Sequence, residues 1–250
     1  MIEVRERINI LGVFIDHVNQ SEAINKIEEF IQNQDSNLVV TPNAEMIIRA
    51  QQDKELKEIL NSAQLSIPDG AGVVLASKLL KYNLEERVAG VDLVEELLAR
   101  GNQKGYSFYF LGGKPGVAEE AKNKVKEKYH DLKIRTHHGY LNTNLEAKVL
   151  DEIGQNRVDV LLVGMGVPLQ EKWLNKHLDL LNVAVGIGVG GSFDILAEKK
   201  TRAPKLMQKI HLEWLYRLAQ EPERLGRMSS IPKFIYRIVQ ERIRKLNKLK

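Results

Sequence analysis

Over the first 195 residues, short runs rich in β-branched or aromatic side chains alternate with longer amphipathic stretches, and this alternation constrains the fold more than any other feature. Strands are predicted at Ile8–Ile15, Asn37–Val40, Gln64–Ile67, Ser107–Leu111, Lys133–His137, Val158–Val163 and Val183–Ile187. Helical patterns cover Glu22–Gln32, Asp92–Gln103, Val117–Lys128 and Leu145–Ile153. Such a succession predicts an α/β fold: a Rossmann-like, mostly parallel sheet with helices on both faces. After Ile195 the strands stop. Thr201-Arg202-Ala203-Pro204 then opens a helical segment, so the expected division is an α/β domain over 1–195 and a helical C-terminal appendage over 196–250.

In an open α/β sheet, ligands bind beyond the carboxyl ends of the strands. Small and flexible residues gather there in this chain: Thr41-Pro42-Asn43, Pro68-Asp69-Gly70, Gly112-Gly113-Lys114-Pro115-Gly116, Gly164-Met165-Gly166 and Gly188 to Ser192. Gly112, Gly113 and Lys114 open a helix, where backbone N–H groups and a cation suit a phosphate; a tight turn without a ligand is the plain alternative. Gly186-Ile187-Gly188-Val189-Gly190-Gly191 matches the dinucleotide fingerprint in spacing. It follows the last predicted strand, however, and no further βαβ unit with a ribose-binding acid comes after it. A nucleotide-diphosphate contact through Gly190, Gly191 and Asp194 fits better, with Gly164 and Gly166 on the neighbouring loop.

Asp69 stands directly after a strand. It reads either as a turn or helix-cap residue or as a general base that takes the proton of an attacking hydroxyl. A diphosphate leaving group is commonly held through a metal on an Asp-x-Asp pair, but no two aspartates here are two apart. The leaving charge would then fall to backbone donors and to cations such as Arg87, Arg217, Arg224 and Arg227. Without cysteine there is neither a disulfide nor a thiolate site, and the adjacent His137 and His138 form no HExxH pattern, so no metal and no cofactor are expected.

Charge divides the chain as the strand pattern does. Residues 199–250 carry 15 Lys and Arg against four acids, whereas residues 1–198 carry 22 basic and 29 acidic residues. Within the tail Phe234, Ile235, Ile238, Val239 and Ile243 recur at helical spacing among Lys233, Arg237, Arg242, Arg244 and Lys245. A basic amphipathic helix of this kind suits an anionic membrane surface better than a nucleic acid, whose phosphates have no use for an apolar stripe. No apolar run reaches the length of a membrane span, and MIEVRERINI is charged where a signal peptide is apolar. The expected location is therefore the cytoplasm, peripheral on the inner face of the membrane.

Several of these segments, in this order, resemble the TagA/WecG/CpsF glycosyltransferase family. They are Thr41-Pro42-Asn43-Ala44, Pro68-Asp69-Gly70-Ala71-Gly72, Arg87-Val88-Ala89-Gly90-Val91-Asp92, Phe110-Leu111-Gly112-Gly113, Gly164-Met165-Gly166-Val167-Pro168, Gln170-Glu171-Lys172-Trp173, Gly190-Gly191-Ser192-Phe193-Asp194 and Arg202-Ala203-Pro204. Glu213-Trp214, Arg217, Glu221-Pro222 and Arg224 extend the likeness into the tail. The resemblance implies an inverting, metal-independent transfer from a UDP-sugar donor to a polyprenyl-diphosphate-linked sugar acceptor. Its nearest members imply N-acetylmannosamine as the sugar and N-acetylglucosamine as the acceptor, with UDP-N-acetylmannosaminuronate or UDP-glucose as alternative donors. It further implies Asp69 as general base, Thr41 and Asn43 as sugar or acceptor contacts, and Arg87 and Gln170 as active-site polar groups. The appendage is expected to fold over the sheet edge and bring Arg217 or Arg224 to the UDP phosphates; a homo-oligomer is left open. One departure stands out: family members often carry Gly where this chain has Glu198.

Overall fold

The computed structural model describes residues 6–33, 35–82, 84, 86–209, 213–220, 226 and 230–247, without the side chains of Lys209 and Arg217. The elements run β1 (Arg7–Ile10), β2 (Val13–Asp16), α1 (Gln20–Asn33), β3 (Asn37–Val40), α2 (Ala44–Arg49), α3 (Lys54–Ser62), β4 (Leu65–Ser66) and α4 (Ala71–Leu79). They continue through α5 (Gly90–Lys104), β5 (Ser107–Gly112), α6 (Val117–Lys128), β6 (Lys133–His137), α7 (Thr143–Gln155), β7 (Val158–Gly164), α8 (Leu169–His177) and β8 (Val183–Gly188). Among the described residues the helices α9 (Ser192–Leu196), α10 (Lys205–Lys209), α11 (Glu213–Gln220) and α12 (Ser230–Asn247) follow.

Among the described residues six strands form one sheet in the order β4-β3-β8-β7-β5-β6, every pairing parallel. Alternate residues of its central strands serve opposite faces. Phe108, Phe110, Val160, Leu162, Val185 and Ile187 pack with α1, α5 and α6, while Tyr109, Leu111, Leu161 and Val163 pack toward α2, α3 and α8. Both faces are dry, which is why these strands read as nearly continuous apolar runs.

The predicted strand Ile8–Ile15 is a hairpin instead, lying outside the parallel sheet. Leu11 and Gly12 both adopt positive φ (53° and 80°), and Ile10 pairs with Val13, giving a two-residue turn whose twist suits an antiparallel pair. The Asn9 side chain accepts a hydrogen bond from the Gly12 N–H at 2.7 Å and stabilises that turn.

The tail docks on the second face. Phe234 and Ile238 of α12 are 2% and 1% exposed and belong to the same buried cluster as Met46 and Ile47 of α2 and Val73 and Ala76 of α4. Arg202, in the connection, forms a bidentate ion pair with Asp92 near the start of α5. Glu198 keeps its turn in a left-handed conformation (φ 57°), the backbone state that glycine adopts without penalty, and its carboxylate reaches Lys124 at 3.2 Å. Replacing Glu198 by Gly is expected to leave stability within about 1 kcal/mol, because relief of the strained φ opposes a larger chain-entropy loss and a lost surface pair. Urea denaturation measures it.

Candidate active site

Asp69 lies in the turn between β4 and α4, held by a backbone hydrogen bond from its N–H to the Pro42 carbonyl at 3.2 Å. It does not cap the helix. That position belongs to Gly70 (φ 91°), with no side-chain capping bond. The Asp69 carboxylate instead faces Arg87, whose Nε lies 3.5 Å from Oδ1. On its other side Arg87 donates from Nη1 to Oε2 of Glu213, the first residue of α11, at 2.9 Å. Burial by itself would lower the Arg87 pKa; the two carboxylates more than offset it and raise the value, so the guanidinium stays charged. Asp69, Arg87 and Glu213 thus form one ionic cluster joining the α/β body to the tail.

The cluster forms the polar end of a cavity of about 480 Å³. Asn43 and Gly70 line that end. Leu75 and Leu79 of α4 and Ile231, Phe234, Ile235 and Ile238 of α12 continue it as an apolar wall. Asn43 caps α2, its side-chain oxygen accepting from the Met46 N–H at 3.1 Å, so its position is set by the helix it starts. Thr41 is half-buried at the end of β3, beside these residues in sequence but not on the cavity wall.

The glycine loops form a second cluster along the carboxyl edge of the sheet. The Gly113 N–H donates to the Gly164 carbonyl at 3.0 Å, and the Gly139 N–H to the Gly113 carbonyl at 3.0 Å. A Cβ on Gly112 would sit 2.5 Å from the Gly164 oxygen, and one on Gly164 2.7 Å from the Gly190 oxygen, so the loops touch backbone to backbone. Lys114 is exposed on the turn before α6. Gly191 stands at the start of α9, and Asp194 in that helix pairs with Lys200 at 2.9 Å. Arg224 and Arg227 lie outside the described residues, as does the side chain of Arg217.

Gln170 lies beneath these loops, 3% exposed. Its side-chain oxygen accepts from the N–H groups of Gly166 (3.1 Å) and Gly190 (3.0 Å), and its Nε2 donates to Oε1 of Glu171 at 2.7 Å. Glu171 is itself 1% exposed. Burial pushes its carboxyl up to about 7, opposed by Gln170 and by Arg49 and reinforced by Glu45. The folded protein therefore holds a proton that the unfolded chain releases near the ordinary value of 4.5. Stability contributed by the neutral carboxyl is full below pH 4.5 and is lost as pH rises through 7, by about 3 kcal/mol in all. Urea denaturation across that range should show Glu171→Gln gaining on the parent protein as pH rises, with no difference at the acid end.

Neither Glu213 nor Glu171 had a role assigned from sequence. An acid beside a tryptophan or a glutamine carries no local sign that it will be buried. Among the described residues no group of three or more His, Asp or Glu side chains gathers in a metal-binding arrangement.

Comparison with known proteins supplies the affiliation. The model of the glycosyl transferase WecG/TagA/CpsF family matches residues 8–248. Relatives named N-acetylglucosaminyldiphosphoundecaprenol N-acetyl-beta-D-mannosaminyltransferase, from Staphylococcus aureus strains MW2 and NCTC 8325 / PS 47, are each 35% identical over 246 residues. The matched region covers 98% of this chain and 96% of each relative. An α/β body with an amphipathic cavity beside a carboxylate, matched over nearly its whole length, belongs to the WecG/TagA/CpsF family of glycosyltransferases.

Proposed function

We propose that this glycosyltransferase moves N-acetylmannosamine from UDP-N-acetylmannosamine to N-acetylglucosamine carried on a polyprenyl diphosphate, with inversion and without a metal. The observation that carries the reading is the position of Asp69, in a cavity that combines an ionic cluster with apolar residues of α4 and α12. A lipid-linked sugar has that same polarity. The names of the full-length relatives support the sugar and the acceptor.

In this mechanism the acceptor hydroxyl lies against Asp69. The carboxylate takes its proton as the hydroxyl oxygen bonds to the anomeric carbon, and the bond to the UDP oxygen breaks on the opposite face. UDP departs with the electron pair of that bond. Arg87, already engaged by Asp69 and Glu213, holds the carboxylate in place. Arg217, Arg224 or Arg227 from the tail, with the glycine loops leaving room at the sheet edge, receive the diphosphate charge, and the lack of an Asp-x-Asp pair supports a metal-free arrangement.

The tail supports docking at a membrane surface. Ile235, Val239, Ile243 and Leu246 are exposed on α12 among Lys233, Arg237, Arg242, Arg244 and Lys245. Each cation near an anionic surface contributes about 1 kcal/mol. No described helix is long and apolar enough to cross a membrane.

The test is UDP release from UDP-N-acetylmannosamine with a GlcNAc-diphosphate-lipid analogue in excess EDTA. Undiminished turnover is expected. Activity lost on chelation and restored by a divalent cation overturns the metal-free mechanism, and turnover only with another UDP-sugar overturns the donor.

A further inference from the structure

The backbone bonds at the sheet edge run from Gly139 through Gly113 to Gly164 and from Val189 to Val163; farther out, between Gly166 and Gly190, a side chain takes over. One atom, Oε1 of Gln170, accepts both glycine N–H groups. An amide can do this in only one of its two orientations. Turned by 180°, it would present its NH₂ to two N–H donors and its oxygen to the Oε1 of Glu171. The two glycine N–H groups set this orientation, and the carboxyl group of Glu171, accepting from Nε2 at 2.7 Å, holds the other end of the amide in place.

The surroundings are built for this pair. Gly188, the last residue of β8, leaves the space it occupies: a Cβ there would lie 2.6 Å from Nε2 of Gln170 and 3.0 Å from Oε1 of Glu171. Gly166 and Gly190 adopt positive φ (81° and 52°), so both loops hold conformations that glycine adopts readily and that their own sequences do not lock. Among the described residues the second carboxyl oxygen of Glu171 has no hydrogen-bond partner, so the buried acid is kept at a cost to stability.

We infer that Glu171 is a positioning residue: it holds the Gln170 amide, which clamps the loops after β7 and β8 into a single glycine rim against which the donor diphosphate lies. The inference rests on the proposed reading of the site as a sugar-nucleotide site. Gln170 acts from below the rim, and Glu171 acts only through Gln170.

The experiment compares Glu171→Leu, Glu171→Gln and Gln170→Leu in the full chain. Leucine removes the acceptor and fills the space with an apolar group, so relief of the buried acid opposes the cost of the orphaned Nε2 and folding is retained; glutamine keeps an acceptor oxygen. Amide hydrogen exchange of Gly166 and Gly190, read by NMR without ligand, should quicken about tenfold or more at both positions in the two Leu variants and stay near the parent rate in Glu171→Gln. With UDP-N-acetylmannosamine, the donor KM should rise about tenfold in Glu171→Leu with kcat within about threefold, and Glu171→Gln should restore it. A purely structural role would lower the melting temperature and the active fraction while leaving KM alone. Unchanged exchange at either glycine in Glu171→Leu overturns the clamp whatever the substrate is. Quickened exchange with an unaltered donor KM in an active enzyme overturns its part in donor binding. A parent protein that neither binds nor turns over any UDP-sugar, with exchange behaving as expected, overturns the sugar-nucleotide reading and leaves the clamp supported as a loop tether.

Discussion

Asp69→Asn is expected to lower the rate of transfer by about 10²-fold or more, with UDP-sugar binding and melting temperature close to the parent values. The substitution keeps the shape of the side chain and the turn it occupies, because the backbone bond to Pro42 and the capping by Gly70 do not involve the carboxylate. It removes the ability to accept a proton while an oxygen attacks the anomeric carbon. Arg87 loses one carboxylate but keeps Glu213, so its charge remains paired and the cavity wall stays in place. Loss of kcat with an unchanged donor KM is the signature of a group that acts in the transition state. A variant retaining a tenth of the parent rate would show that the proton is taken elsewhere.

Removing residues 196–250 is the second large effect: transfer should become undetectable even with a soluble, short-chain acceptor. The deletion takes away Glu213, one arm of the ionic cluster, and every residue that α12 contributes to the apolar wall. A tail that served only as a membrane anchor would be dispensable with a soluble acceptor, so full activity there would overturn this account. The α/β body should still fold, with its sheet intact, but at reduced stability. Phe234 and Ile238 leave an uncovered patch on α2 and α4, where a Cβ added to Gly72 would lie 3.8 Å from the Phe234 ring. Burial of one such side chain is worth roughly 2 to 5 kcal/mol. Phe234→Ala in the full chain separates the two contributions, since it loses packing while keeping Glu213.

Much of the fold was legible because its determinants are local. Strand Asn37–Val40 and the cores of β5, β7 and β8 are apolar runs bounded by turn residues, and the helices between them carry their own periodicity. The hairpin was missed because Leu11, an apolar residue at positive φ, looks like a continuation of the strand. A turn of Asn-Gly would have been visible; Leu-Gly hides half of its signal. In the site, Asp69 could be singled out because loops after parallel strands converge on one edge whatever the side chains are.

The sequence by itself determined the α/β class, the glycines that let loops approach one another, the position of the carboxylate after β4 and the charge contrast between body and tail. These follow from backbone sterics, periodicity and composition, which act over a few residues or over the whole chain. Only the tertiary structure decided which polar groups lose water and with whom. Arg87 and Glu213 are 126 residues apart, and Gln170 reaches Gly190 across a strand and a helix. Pairing of that kind depends on two segments being packed at one place, where an unpaired charge or amide is costly; no periodicity along the chain encodes it.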